Sequence, residues 1–468
     1  MIFRNQGTLL WRVVQAIISI TLRLFFRRIE SSGVENVPLN EGIIFVLNHP
    51  NGLIDPGLVF VSLPRRVSFL AKSTLFKLPV VGFALRTLEA LPLYRRVDAS
   101  EGIDPAINAA LNQRTFEACY TLLQQNRCIA LFPEGVSHNS TQLLPLKTGA
   151  ARIALGALSF KSSDERAMQS LKIVPVGLYY TSKTNFRSEA LLRYGAPFEV
   201  FPVELDETGQ PPREAVRELS ERIAVELKQV TLNVENDRTL ETVKRIEQLF
   251  SSVSETINLR QTLSDELDLR RTLAARLEQI RANNPQRAEV LDKRIADYEE
   301  KLGDLNIAPE HLSVAEHSSW QVFRYFLLRL AVIAVLLPLI IVGATIHFPA
   351  YLICLLLARI FRRHGVDDAG GSIKIMAAMF LMPMTWMIAA VILFFQTNWQ
   401  IALASIPVSI ICGYTALRCL EELVAMSGWF NAVFFLARHP QLFIRLQLER
   451  RTLHREIAAL VPQKTSRR

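Results

Sequence analysis

The chain has 468 residues, half of them hydrophobic, and a formal net charge of +9, which allows about two to three domains. A positive mean hydropathy beside a basic balance points to a membrane protein whose basic faces meet anionic lipid or an anionic substrate, with nucleic acid as the competing reason for the charge. Five cysteines, Cys119, Cys128, Cys354, Cys412 and Cys419, show no C-x-x-C pair and no even framework, which argues against a disulfide scaffold and reads as reduced packing residues.

From residue 9 to 26 the chain is apolar, but Arg12, Gln15, Ser19, Arg23 and Arg27 recur every three or four positions and gather on one side of a helix. A helix lying in the membrane interface is expected; a helix packed on the protein's own core is the alternative. Arginines inside the apolar run and the lack of a small-residue cleavage site argue against a cleaved signal peptide.

From residue 33 to about 202, short apolar runs alternate with helical patterns. Residues 42–47, 66–70, 128–132 and 173–179 read as strands, and 106–125 and 147–159 as helices. That alternation predicts an α/β domain around a largely buried sheet.

Four segments of this domain carry chemistry. In Asn48-His49-Pro50-Asn51-Gly52-Leu53-Ile54-Asp55 an imidazole follows a strand and a carboxylate stands six positions on. A neutral imidazole removes a hydroxyl proton near neutral pH, and a carboxylate on its other nitrogen fixes the tautomer; a polar loop or a helix cap is the bland reading of the same pair. The second segment runs from Ala71-Lys72-Ser73-Thr74 through Lys77, Gly82 and Arg86 to Tyr94-Arg95-Arg96. Paired arginines after a short strand clamp a phosphate bidentately, or form a solvated edge. The third, Phe132-Pro133-Glu134-Gly135-Val136-Ser137-His138, is another strand entering a Pro/Gly turn, and it continues to Lys147 at the start of a small-residue helix. Backbone N–H groups there, with Lys147, suit an anion; an ordinary surface lysine and a loop histidine are the alternatives. The fourth, around Val174-Pro175-Val176, reads as a core strand.

Beyond residue 211 the composition turns charge-rich. Val216, Leu219, Ile223 and Leu227 make a helical stripe, and leucines from Leu263 to Leu277 precede a break at Asn283-Asn284-Pro285 and a second stripe through Ile295 and Tyr298. A helical hairpin is expected, with self-association into a homo-oligomer left open. Residues 330–358 exceed the ~20 needed to span a bilayer, with Pro338, Gly343 and Pro349 inside them. A tilted span and a broken re-entrant hairpin are both allowed. Residues 375–395 and 399–417 read as further spans, and 423–437 as an interfacial segment. Basic residues at 359–364 and 438–468 both favour the cytoplasmic side, which calls for two true crossings. His347 is the lone ionisable imidazole in the first of these stretches.

The four blocks, in this order and with Phe132-Pro133-Glu134-Gly135 among them, resemble the glycerolipid acyltransferase family over roughly residues 30–205. The family's usual H-x4-D becomes H-x5-D at His49 and Asp55, similar to the branch of fungal glycerol-3-phosphate/dihydroxyacetone-phosphate acyltransferases; Asp55 reaches His49 only if the turn bulges to absorb the extra residue. The resemblance implies an α/β domain with a mixed sheet flanked by helices, followed by a helical hairpin and a transmembrane helical region. The segments would be 1–30 interfacial helix, 31–210 acyltransferase domain, 211–315 charged helices, 316–440 membrane helices and 441–468 basic tail.

It further implies His49 as general base and Asp55 as its orienter. Arg95, Arg96, Phe132, Pro133, Glu134, Gly135 and Lys147 would bind the acceptor. No cofactor or metal is expected beyond acyl-CoA or acyl carrier protein as co-substrate. The implied acceptor is glycerol 3-phosphate or dihydroxyacetone phosphate, with lysophosphatidate as the alternative and a non-catalytic lipid-binding role as a second one. Membrane lipids are the implied surroundings, no nucleic acid is expected, and the catalytic domain would face the cytoplasm, at a bacterial inner membrane or the endoplasmic reticulum.

Overall fold

The computed structural model describes residues 8–52, 54–63, 65–95, 105–138, 140–160, 168–183, 185–207, 210–234, 237–250, 262–305, 319–362 and 370–459. Arg96, residues 363–364 of the basic cluster and the end of the basic tail lie outside them. The chain clusters into two compact units, Met1–Asn233 with Ala358–Ile375, and Val234–Leu357 with Met376–Arg468.

The first unit is built on a mixed eight-stranded sheet. Its strands are β1 (Arg28–Ser32), β2 (Ile43–Leu47), β3 (Val67–Lys72), β4 (Leu91–Leu93), β5 (Cys128–Leu131), β6 (Leu171–Tyr180), β7 (Glu189–Tyr194) and β8 (Phe198–Val200). They stand in the order β1-β7-β6-β2-β5-β3-β4, with β8 on β6. Pairing is parallel from β6 through β2, β5 and β3 to β4, while β7 and β8 run antiparallel to β6.

β2 lies at the centre, and every one of its side chains is buried. Alternation sends Ile43, Phe45 and Leu47 to one core and Ile44 and Val46 to the other, as a strand covered on both faces requires. The first core is closed by helices α1 (Leu9–Phe25) and α2 (Ile54–Ser62). The second is closed by α4 (Pro105–Gln124), α5 (Gly149–Ser159) and α6 (Arg213–Val230). The short α3 (Pro79–Thr87) follows β3. Thus α6, read from sequence as part of the charged segment, covers the sheet with Val216, Leu219 and Ile223.

Helix α1 carries features of both readings offered for it. Trp11, Leu22 and Phe25 are buried, with Trp11 edge-on to Phe60 of α2 at 5.1 Å. Leu10, Val13, Ile17, Ile20 and Leu24 remain exposed as an apolar stripe on the other side, the pattern of an interfacial helix.

In the second unit, α7 (Asp237–Phe250), α8 (Leu263–Asn283) and α9 (Pro285–Asp304) pack together. The expected hairpin is present, turning at Asn284, whose side chain caps α9 by accepting from Arg287 N. It is not a free pair: α13 (Pro440–Ala458), expected as a tail, joins α7 and completes a small bundle. Tyr298 Oη donates to Leu446 O, and Lys301–Glu449 and Arg294–Glu456 ion pairs line the seam.

Among the described residues, three further helices are long and apolar enough to cross a membrane, over Phe323–Ile360, Ile373–Gln396 and Trp399–Val424. They belong to α10 (Ser319–Arg362), α11 (Gly370–Gln396) and α12 (Trp399–Arg438). Of the two readings left open for the first stretch, the continuous helix through Pro338 and Pro349 is the one observed, and one expectation is corrected: 423–437 continues α12 rather than lying apart. His347 fastens the bundle: Nδ1–H donates to Gly343 O at 2.8 Å, and Trp386 Nε1–H donates to Nε2 at 2.7 Å. Gly343 lets α10 and α12 approach closely, since a Cβ there would stand 2.1 Å from Cys412 O.

Candidate active site

The site forms where β2 and β5 end. After Leu47 the ladder to β6 is continued by a side chain: Asn48 Oδ1 accepts from Leu178 N at 2.7 Å and Nδ2 donates to Leu178 O at 3.0 Å. The chain then turns, with Gly52 at φ +27°, and Asn51 O accepts from Ile54 N and Asp55 N. These bonds start α2 and put Asp55 in its first turn, where the helix dipole favours a carboxylate. The turn absorbs the extra residue of the H-x5-D spacing: His49 Nδ1 lies 2.8 Å from Asp55 Oδ2.

Asp55 is fully buried, and three donors converge on it. They are His49 Nδ1–H, Asn51 N–H to the same oxygen at 2.8 Å, and Tyr180 O–H to Oδ1. A carboxylate only accepts, so the His49 proton sits on Nδ1 and Nε2 keeps its lone pair. The His49 ring is 17% exposed and stacks on Phe132 at 4.1 Å and 18°. The arrangement offers a base with its tautomer set and its ring held.

Tyr180 is the functional neighbour that the sequence reading missed, one residue beyond the predicted strand end. Burial, and then the Asp55 charge, push its phenol well above the ordinary value, so it stays a donor. Phe26 stacks on it at 5.7 Å. Tyr180→Phe leaves one buried oxygen of Asp55 short of a donor and should cost roughly 1–3 kcal/mol of stability, readable as a lowered thermal midpoint.

Phe132-Pro133-Glu134-Gly135 forms a turn closed by Gly135 N–H to Phe132 O at 3.0 Å, with proline at its second position where φ suits it. Gly135 has φ +75°, a left-handed conformation that glycine adopts freely, and its carbonyl accepts from Arg95 Nη1 at 2.7 Å. Lys147 lies along the same turn: its N–H donates to Pro133 O at 2.8 Å, and a Cβ on Gly135 would stand 3.3 Å from its Cε. Helix α5 begins at Gly149, two residues later than expected.

Glu134 is placed differently from the expectation that it touches the acceptor. It is 2% exposed, and both oxygens are taken by the protein. Oε1 accepts from His49 N–H at 3.0 Å; Oε2 accepts from Leu144 N–H at 2.8 Å and from His138 Nε2–H.

Arg95 also lines a cleft of about 530 Å³ beside β3 and β4, with Ser73, Thr74, Lys77, Arg86 and Tyr94. Three cations and three hydroxyls suit a phosphate. Helix α4 holds its rim, Asn112 bonding Tyr94 through both N–H (2.9 Å) and C=O (2.7 Å). The cleft wall also includes Asn108, a residue that no local pattern singled out. The structure thus assembles His49 and Asp55, and brings Phe132, Pro133, Glu134, Gly135, Arg95 and Lys147 around one turn; Arg96 lies outside the described residues.

Residues 28–179 match the acyltransferase family model, and residues 242–465 match the model of the glycerol-3-phosphate acyltransferase 2 C-terminal domain. Glycerol-3-phosphate O-acyltransferase 1 of Saccharomyces cerevisiae is 30% identical, over 50% of this chain and 40% of the yeast protein. Glycerol-3-phosphate O-acyltransferase 2 of the same yeast is 26% identical, over 62% and 39%. A chloroplastic 1-acyl-sn-glycerol-3-phosphate acyltransferase of Brassica napus is 27% identical, over 38% and 44%. The chain therefore spans about two fifths of the length of the yeast relatives. The crystal structure of the 1-acyl-sn-glycerophosphate acyltransferase from Thermotoga maritima, 19% identical, matches 47% of this chain and 78% of that one with a TM-score of 0.33. With a match to the acyltransferase family model followed by a match to this C-terminal domain model, the chain belongs to the glycerolipid acyltransferase family and is similar to the two yeast glycerol-3-phosphate O-acyltransferases.

Proposed function

We propose that the chain moves a fatty acyl group from a thioester, acyl-CoA or acyl carrier protein, to a hydroxyl of glycerol 3-phosphate or dihydroxyacetone phosphate. This is the first acylation on the way to phosphatidic acid. The observation that carries the reading is the buried Asp55–His49 pair, whose Nε2 has no hydrogen bond among the described residues, at the same turn that Arg95 joins to a cationic cleft.

In the mechanism, His49 Nε2 takes the acceptor's hydroxyl proton as that oxygen attacks the thioester carbonyl. The C–O bond forms, the C–S bond breaks, and the proton passes from His49 to the departing sulfur. Asp55 stabilises the imidazolium between these events. Arg95, with Lys77 and Arg86 in the cleft, holds the phosphate and so fixes where the hydroxyl sits. The domain works on the cytoplasmic side, where a water-soluble thioester donor and a phosphorylated acceptor are supplied.

Acylation of lysophosphatidate is the second reading, supported by the Brassica relative's name. Membranes carrying the protein, given labelled palmitoyl-CoA with each of the three acceptors, test the choice. Product from glycerol 3-phosphate or dihydroxyacetone phosphate is expected, and product from lysophosphatidate alone would replace the first reading. Arg95→Ala should raise the acceptor KM about tenfold or more, the loss of one charge-assisted contact.

A further inference from the structure

The motif Gly135-Val136-Ser137-His138 carries a second histidine that the proposed chemistry does not use. Its ring Nε2 meets Glu134 Oε2, and its Nδ1 is buried with no hydrogen-bond partner among the described residues. Glu134 accepts only, so Nε2 carries the proton.

That donor holds Glu134, and Glu134 in turn holds the main chain of His49. Glu134 Oε1 accepts from His49 N–H at 3.0 Å, while His138 N–H donates to His49 O at 3.2 Å. Both main-chain polar groups of the base are thus gripped by residues 134–138. The loop is itself anchored: Lys183 Nζ donates to His138 O at 2.9 Å, and Asn51 Nδ2 donates to Lys183 O at 2.9 Å. Asn51 N–H in turn bonds Asp55, which bonds His49. The chain of contacts closes on itself around the base.

We propose that His138 is a positioning residue for His49: its Nε2–H fixes Glu134, and Glu134 fixes the His49 main chain. The role rests on the acyltransferase reading above, and it predicts a position-specific pattern of rescue. Glutamine presents its amide nitrogen where Nε2 stands, whereas asparagine presents one nearer Nδ1, so only glutamine restores the bond to Glu134.

The test compares full-length wild type, His138→Ala, His138→Asn and His138→Gln in membranes, with palmitoyl-CoA and glycerol 3-phosphate. His138→Ala and His138→Asn should lose about 10- to 100-fold in kcat, as expected for a base displaced by up to an ångström, with acceptor KM within about threefold. His138→Gln should recover to within about threefold of wild type. Three outcomes overturn the role: full activity in His138→Ala, a glutamine variant no better than asparagine, or a change confined to KM. A wild type that acylates no acceptor overturns the acyltransferase reading and this role together. Thermal midpoints of the detergent-solubilised variants accompany the rates, so a glutamine variant that melts like wild type yet stays as slow as alanine also counts against the role.

Discussion

His49→Ala should abolish acyl transfer, by about a thousandfold or more, the range over which a positioned general base acts. The protein should remain folded and membrane-bound. What the substitution removes from the fold is a stacked ring on Phe132, worth about 0.5–1.5 kcal/mol, and one of the three donors to the buried Asp55, worth roughly 1–3 kcal/mol, while the main-chain bonds of residue 49 to Glu134 and His138 persist. Rates in membranes, set beside melting of the solubilised protein, check both halves. Near-normal turnover in this variant would remove His49 from the chemistry.

The second large effect is expected from Asp55→Asn, a change of almost no volume. Asp55 receives donors from His49, Asn51 and Tyr180. An amide in its place offers one oxygen, and its NH₂ must face one of those three donors or reach His49 Nδ1 as a donor. In the latter case the imidazole proton moves to Nε2 and the base is lost. Where a carboxamide replaces the orienting carboxylate of a Ser-His-Asp triad, kcat falls about 10⁴-fold through the wrong tautomer. A fall of about 10³-fold or more is expected here, with acceptor KM little changed. Asp55→Asn turning over within tenfold of wild type would show that the contact does not set the tautomer.

The parts of this account visible in sequence are those with local signals. β2, β5 and β6 appear as short apolar runs within a residue or two of their observed ends, because a strand covered on both faces is apolar throughout. The His49–Asp55 spacing and the Pro/Gly turn are also local, so the base and the residues around it could be named. What could not be read is long-range pairing. Glu134 and His49 are separated by 85 positions, and nothing local tells a carboxylate facing substrate from one gripping a distant backbone N–H. Tyr180 meets Asp55 across 125 positions, at the end of a strand that looks like plain core. The extra residue between His49 and Asp55 was harmless because Asn51 and Gly52 form a turn before α2, a rearrangement that spacing alone leaves open.

The C-terminal half shows the same division. Stripes in α8 and α9 revealed the hairpin, but its completion by α7 and α13 joins segments about two hundred residues apart. Pro338 and Pro349 looked like helix breaks by the rule for water-soluble helices. In an apolar helix of membrane length the alternative is unpaired backbone in hydrocarbon, and the helix continues through both.

The most direct test of the central claim, that the acceptor hydroxyl itself attacks the thioester under the His49–Asp55 pair, is to follow thiol release from palmitoyl-CoA by the purified full-length protein with and without glycerol 3-phosphate. The account predicts release only when the acceptor is present, one thiol for each lysophosphatidate formed, and none of this from His49→Ala. A burst of one thiol per protein without acceptor, or acceptor-dependent release that survives in His49→Ala, would contradict it.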